Sequence, residues 1–422
     1  MLRKIASVFA IVATASTLVS AAVNFDTPKN TSIKQEIANL ELSVPVSAPV
    51  QEKGLVSKDL KEWTVMVFIN GKNNLEPYAL KDMNEMEQIG STNKVNVVTE
   101  TGLVSGYGDM PWTGTARFLI KKDADTNTIT SPILANLGKV DMGDYNSVVD
   151  FVNWAKATYP AKHYMLVIWN HGSGWDKSAP ASVTRGISYD EETGHNINTP
   201  QMGTILKNVG GVDVYGSDAC LMQMAEVTYE LKDGVTYIVG SEETEPGDGY
   251  TYNDLLGPLA DNPAMTPEQL GTLAANAYAD HYQAANEGST QSLLKTSALP
   301  QFLTLMNNFA SAMMKANEKA AVKTAISGAQ SFAVSDNHDI WHFASLMAKS
   351  TKNAAVKSAA AALQSYISGS LILVNRPTTS AYDNAHGIAA YMPSYGFNGD
   401  YNSLAWAQAS QWDEFIKWYQ AK

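Results

Sequence analysis

Continuous apolar runs alternate with stretches of helical spacing through the first 260 residues. The run at 64–69 is apolar almost throughout, has the length of a buried strand and stops at Asn70-Gly71. Leu75, Leu80, Met83, Met86 and Ile89 then recur at helical spacing, and 95–98 is again apolar. Strand, helix, strand predicts parallel pairing through a right-handed crossover. Further along, 116–121 and 128–131 read as a hairpin about Asp123-Ala124-Asp125, 145–157 as a helix, and 164–169 and 212–215 as buried strands. A helix over about 221–232 and a strand at 237–240 follow. This pattern predicts an α/β fold, an open, mostly parallel sheet with helices on both faces. From about Thr266 the chain turns Ala-rich with helical spacing, broken by apolar strands at 371–374 and 387–392 that are expected to extend the sheet.

The ends of the chain read differently. Arg3 and Lys4, an apolar run over 5–18 and the small residues Val19-Ser20-Ala21-Ala22 have the layout of a secretory signal peptide, with cleavage expected after Ala21 or Ala22. That run is too short to span a bilayer comfortably, and no later stretch approaches about 20 uninterrupted apolar residues. A secreted or periplasmic product is expected, with no membrane as partner. The stretch after the leader is polar, has scattered Pro and lacks sustained periodicity, as a linker or pro-segment does. Residues 1–22 are therefore assigned as signal peptide, 23–60 as N-terminal extension or pro-segment, 61–262 as the α/β domain and 263–422 as a C-terminal helical region with added strands. A chain of 422 residues exceeds what one hydrophobic core usually serves. Removing Arg3 and Lys4 with the leader takes the formal net charge from -12 to -14, which argues against nucleic acid or an anionic membrane surface.

Within this frame Cys220 is the only cysteine, so no intramolecular disulfide is possible. It follows the 212–215 run through Gly216-Ser217-Asp218-Ala219 and precedes the helix expected from Leu221. A thiol at such a junction faces backbone N–H groups and a positive helix end, unless it is only a small buried hydrophobe. The 164–169 run ends in Asn170-His171-Gly172-Ser173-Gly174-Trp175. Sites in open α/β sheets form beyond the carboxyl ends of strands. If the two strands are neighbours, His171 and Cys220 supply a proton carrier and a nucleophile, the minimum for acyl transfer by cysteine. Glycine after the histidine lets the backbone approach a carbonyl, so the N–H groups of Gly172 and Cys220 are candidates for an oxyanion hole, where one donor is worth about 3 kcal/mol.

Three blocks carry a family resemblance: Trp169 to Trp175, Ser217-Asp218-Ala219-Cys220-Leu221-Met222, and Ser241-Glu242-Glu243-Thr244-Glu245-Pro246-Gly247-Asp248-Gly249-Tyr250. In this order they resemble the clostripain family of cysteine peptidases, whose fold is caspase-, gingipain- and legumain-like. The resemblance implies a secreted cysteine endopeptidase, with His171 and Cys220 as catalytic dyad and Asp218 as floor of the pocket for the residue before the cut bond. A buried carboxylate there suits Arg or Lys, and Arg gains a bidentate contact. Asp218 is also placed to cap the expected helix. Glu242 and Asp248 are further candidates at the pocket mouth. The family is activated by cutting between the His and Cys strands, where 176–188 carries Lys177 and Arg185, and Arg185-Gly186 is the preferred self-cleavage bond. The expected partners are protein or peptide substrates with Arg or Lys before the cut bond. A monomer is expected, in two chains once cut.

The chemistry requires no metal. Calcium dependence is implied by the resemblance alone. Asp190-Glu191-Glu192 and the 241–248 loop offer oxygen ligands, but neither has the spacing of a calcium loop. Two other readings compete. His338-Asp339-Ile340-Trp341-His342 resembles a zinc His-Glu-x-x-His motif with Asp in place of Glu, which would make a metallopeptidase. A non-catalytic binding protein on the same fold is the other. No Gly-x-Ser-x-Gly elbow, phosphate-binding loop or dinucleotide fingerprint occurs.

Overall fold

The computed structural model describes residues 60–104, 112–175 and 186–421. The expected signal peptide, nearly all of the expected extension, and both Lys177 and Arg185 lie outside these residues. The strands are β1 Lys61–Gly71, β2 Val95–Leu103, β3 Gly114–Leu119, β4 Ile133–Gly138, β5 Ala161–Trp169, β6 Ile187–Asp190, β7 His195–Ile197, β8 Val212–Asp218, β9 Val235–Gly240, β10 Ser292–Lys295, β11 Asn337–Asp339, β12 Ile372–Asn375 and β13 Ala389–Tyr391. Nine of them form one sheet in the order β12-β10-β9-β8-β5-β1-β2-β3-β4. The five central strands, β9 to β2, pair in parallel. The outer strands are antiparallel to their inner neighbours.

Alternation along β1 explains why its sequence looked uniformly apolar. Trp63, Val65, Val67 and Ile69 face one core, packed with α1 Glu76–Ile89 and the later helices Tyr252–Asp261 and Pro267–Ala285. Met66 and Phe68 face the other core, shared with α2 Tyr145–Thr158, α3 Thr199–Asn208, α4 Ala225–Leu231 and the C-terminal helices. Each large apolar side chain so buried contributes roughly 1.5–3 kcal/mol, so a strand covered on both sides is apolar at every position.

Three expectations need correcting. The helix after Cys220 begins at Ala225, not Leu221. Residues 221–224 lie instead along the loop after β9: Leu221 N–H donates to Glu243 O at 3.0 Å and Gln223 N–H to Ser241 O at 2.9 Å, and Leu221 has a φ of 63°. Cys220 therefore does not sit at a helix N-terminus, and Asp218 caps no helix. Of the two late strands, β12 joins the sheet edge through β10, whereas β13 pairs with β11 in a separate ribbon. That ribbon undoes the zinc motif. His338 is on β11, Asp339 caps the helix Ile340–Ser350 by accepting from His342 N–H, and the two histidines share no helical face. Burial pushes His338 down to about 4, and His342 Nδ1 already accepts from Gln330 N–H at 2.9 Å.

Candidate active site

The site is set by the register of two neighbouring parallel strands. Trp169 of β5 stands opposite Asp218 of β8, and Asn170 N–H donates to Asp218 O at 3.1 Å. His171 and Cys220 each follow two residues later, so the register brings them side by side at the carboxyl edge. Both are almost fully buried. A Cβ on Gly172 would lie 2.3 Å from Cys220 O and 3.0 Å from Cys220 N. Gly172 is thus packed directly against the backbone of Cys220, an approach distinct from the one to a substrate carbonyl that the sequence suggests.

Two contacts not read from the sequence complete the neighbourhood of the dyad. His171 Nε2 lies 2.7 Å from Oδ1 of Asn74, a buried residue between β1 and α1. An amide oxygen only accepts, so this contact puts the ring proton on Nε2. Glu245 N–H donates to Cys220 Sγ at 3.1 Å, a donor that stabilises negative charge on the sulfur. The signal for Asn74 was its place in Asn70-Gly71-Lys72-Asn73-Asn74, immediately after a central strand. The same loop is stitched to the strand pair that follows residues 176–185. Asn70 Nδ2 donates to Ser188 Oγ at 3.1 Å, and Asn73 Nδ2 to Tyr189 O at 2.8 Å. The fully buried Lys72 lies 2.9 Å from Glu192 and 3.7 Å from Asp190.

Beside His171 and Cys220, Trp169, Asp218, Glu245 and Gly249 help to line a cavity of about 40 Å³. That is room for only a few waters. Asp218 Oδ1 accepts from Tyr250 N–H at 3.1 Å and Oδ2 from the Tyr252 hydroxyl at 2.8 Å. Burial nonetheless pushes its carboxyl up to about 7, against the opposing effect of those donors. From α1, Asp82 accepts from Trp169 Nε1 at 2.5 Å, and burial, Glu85 and Asp218 hold its carboxyl well above the usual range.

Glu242 and Asp248 stand elsewhere. Glu242 does not line the cavity: its Oε2 accepts from Gly387 N–H at 2.8 Å, and its carboxyl is hydrogen-bonded to that of Asp339, fully buried beneath the loop. Asp248 does not line the cavity: it lies 2.6 Å from Lys81 and 3.8 Å from His281, and the neighbouring His281 and Lys81 draw its carboxyl down to about 2. Of the acidic residues that offer oxygen ligands for calcium, Asp190 and Glu192 both face Lys72. Among the described residues no group of three or more His, Cys, Asp or Glu side chains is placed to hold a metal ion.

A parallel sheet whose adjacent central strands end in an imidazole and a thiol defines the caspase-like class of fold. Within that class the chain belongs to the clostripain family, peptidase family C11, whose profile matches residues 67–419. It is 26% identical to the clostripain of Hathewaya histolytica over 217 residues, 46% of this chain. The match spans only 41% of that relative's length. Two solved structures share the fold. One is a secreted C11 cysteine protease from Bacteroides thetaiotaomicron in complex with an irreversible peptide inhibitor, 21% identical, with a TM-score of 0.65 over 83% of this chain and 99% of that one. The other is an inactive zymogen C11 protease from Parabacteroides distasonis, 20% identical, with a TM-score of 0.65 over 84% and 99%.

Proposed function

We propose that this chain is a secreted cysteine endopeptidase that cuts after Arg or Lys and matures by cutting itself. Cys220 Sγ attacks the substrate carbonyl while the N–H groups of Gly172 and Cys220 hold the developing oxyanion. His171 Nδ1 takes the thiol proton as Sγ attacks, gives it to the leaving amine as the C–N bond breaks, and then takes a proton from the water that displaces the acyl group and returns it to the departing sulfur. Asn74 fixes the ring that does so. Asp218 receives the basic side chain preceding the cut bond. Arg185-Gly186 is the bond of self-cleavage, since Arg at that position meets the pocket's own preference.

The single observation that carries this reading is the Trp169–Asp218 register, which sets the imidazole, the thiol and a buried carboxyl at one strand edge. Its test is hydrolysis of chromogenic peptides ending in Arg, Lys, Asp, Asn or Ala, with and without iodoacetamide. Cleavage after Arg and Lys, abolished by alkylation, is the expected result. Preference for Asp would overturn Asp218 as the selector, and no hydrolysis of any peptide by the processed protein would favour a binding role.

A further inference from the structure

The pocket beside Cys220 holds more acid than one selecting carboxylate requires. Glu245 lines the same cavity as Asp218 and is buried. The two carboxyls lie within hydrogen-bonding reach of each other, and Gln291 Nε2 donates to Glu245 Oε1 at 3.2 Å. Two carboxyls share a hydrogen bond only while one keeps its proton. Across Trp169, Asp82 is 1% exposed and its Oδ1 has no hydrogen-bond partner. A buried carboxyl oxygen left without a donor, next to a pair held together by one proton, is an environment completed by an incoming cation.

We propose that Glu245 is a second specificity-determining residue, which closes with Asp218 on the cationic side chain as the proton they share is expelled. This rests on the reading of Asp218 as the selector. Before binding, the pair carries one proton and one negative charge. The guanidinium or ammonium brings one positive charge, the proton leaves to solvent, and two carboxylates face a cation whose several N–H groups can serve both. The groups facing the pair are Tyr250 and Tyr252, which follow in the same stretch of chain, Tyr278 and Tyr282 of the helix Pro267–Ala285, and Asp82 of α1. Burial and the nearby carboxyls keep the four hydroxyls protonated and neutral, so they add no charge of their own. Glu245 also carries the N–H that meets Cys220 Sγ, so the segment that grips the side chain is the one that touches the nucleophile.

Glu245→Gln keeps shape and hydrogen bonding but removes the second negative charge. Peptides ending in Arg, Lys and the uncharged norleucine are compared for wild type, Glu245→Gln and Asp218→Asn, and benzamidine binding is followed by calorimetry at pH 6.5 in two buffers of different ionisation enthalpy. Glu245→Gln is expected to raise KM for Arg and Lys by roughly 10- to 100-fold, the loss of one charged hydrogen bond, and to spare the norleucine peptide. Benzamidine binding is expected to release close to one proton from wild type and fewer from Glu245→Gln, where the amide donates to an already ionised Asp218. An equal loss for all three peptides, confined to kcat, would mean Glu245 acts only through its place beside Cys220. Absence of proton release from wild type would overturn the shared-proton step. If Asp218→Asn raises KM for Arg and Glu245→Gln does not, this proposal alone fails; if neither does, the reading of Asp218 fails with it.

Discussion

His171 Nε2 meets Asn74 Oδ1 at 2.7 Å, so the imidazole is held from the side by a residue almost a hundred positions earlier in the chain. The contact sets which nitrogen carries the proton before substrate arrives. Asn74→Ala removes the acceptor and frees the ring. A loss of kcat on the order of 100-fold is expected, with KM for an Arg peptide changed little, because misorientation of a proton carrier acts on the chemical step and not on the pocket. Asn74→Asp should restore part of the rate and move the acidic limb of the kcat/KM profile upward, since a carboxylate favours the imidazolium. Steady-state kinetics from pH 5 to 9 read both.

Gly172 has no room for a side chain on the dyad's side of the loop. Its Cβ would stand 2.3 Å from the Cys220 carbonyl oxygen and 3.0 Å from the Ala219 methyl, and neither can retreat without moving the nucleophile. Gly172→Ala is therefore expected to fold, as judged by an unchanged circular dichroism spectrum, and to lose at least about 100-fold in kcat. Full activity in this variant would show that the two backbones separate readily and that the approach is not needed.

The central sheet was legible because β1, β5 and β8 are buried on both faces, and burial on both faces leaves an unbroken apolar run. His171 and Cys220 were legible for the same reason, standing just past the ends of two such runs. The start of α4 was misread because Leu221, Met222 and Met224 have helical spacing, yet the backbone N–H groups of Leu221 and Gln223 go to a loop about twenty residues later, which local pattern does not encode. Glu242 was misplaced because an acidic loop reads as solvated, whereas its partner Asp339 is brought to it by the fold. Asn74 and Glu245 belonged to stretches already marked as loops, but nothing in spacing says which loop residue turns towards a histidine or a thiol.

With Asp218 as the proposed selector, substrate affinity is expected to carry its own pH dependence. Burial pushes its carboxyl up to about 7, above the ordinary carboxylate range, so below that pH the carboxyl keeps its proton and offers a cation less charge. KM for Arg and Lys peptides is expected to fall as pH rises from 6 to 8, while KM for a norleucine peptide stays level. Parallel changes for charged and uncharged peptides would assign the effect to the dyad. Asp218→Asn should flatten the Arg profile at a high KM.

Self-processing is expected to need the thiol of the chain being cut or of another copy. Cys220→Ala protein, purified without added protease, should remain a single chain, and addition of a trace of active wild type should convert it to two fragments with a new N-terminus at Gly186. Gly186 N–H donates to Ser173 Oγ at 2.8 Å, directly beside the histidine loop, so the fragment that starts there is expected to remain associated on gel filtration. Spontaneous cutting of Cys220→Ala at Arg185 would remove self-processing from the account.

The Glu242–Asp339 pair links the loop after β9 to the C-terminal helices through a shared proton, and its stability cost appears on the alkaline side. Both carboxyls are fully buried. Burial pushes Asp339 up to about 7 and, with Asp339 beside it, holds Glu242 well above the usual range. A group whose folded value is raised contributes fully below its unfolded value, near 4, and loses that contribution as pH rises through the folded value, near 7 for Asp339. Thermal stability is therefore expected to fall between pH 5 and pH 8. Glu226 and Glu100, each pushed up to about 7 by burial, act in the same direction, so the slope alone does not isolate the pair. Glu242→Gln does: its amide can donate to an ionised Asp339 while its oxygen still accepts from Gly387 N–H. The variant is expected to match wild type at pH 5 and to melt a few degrees higher at pH 8, corresponding to about 1–2 kcal/mol. Melting curves at the two pH values decide it, and a variant destabilised equally at both would show that the shared proton is not what sets the alkaline limit.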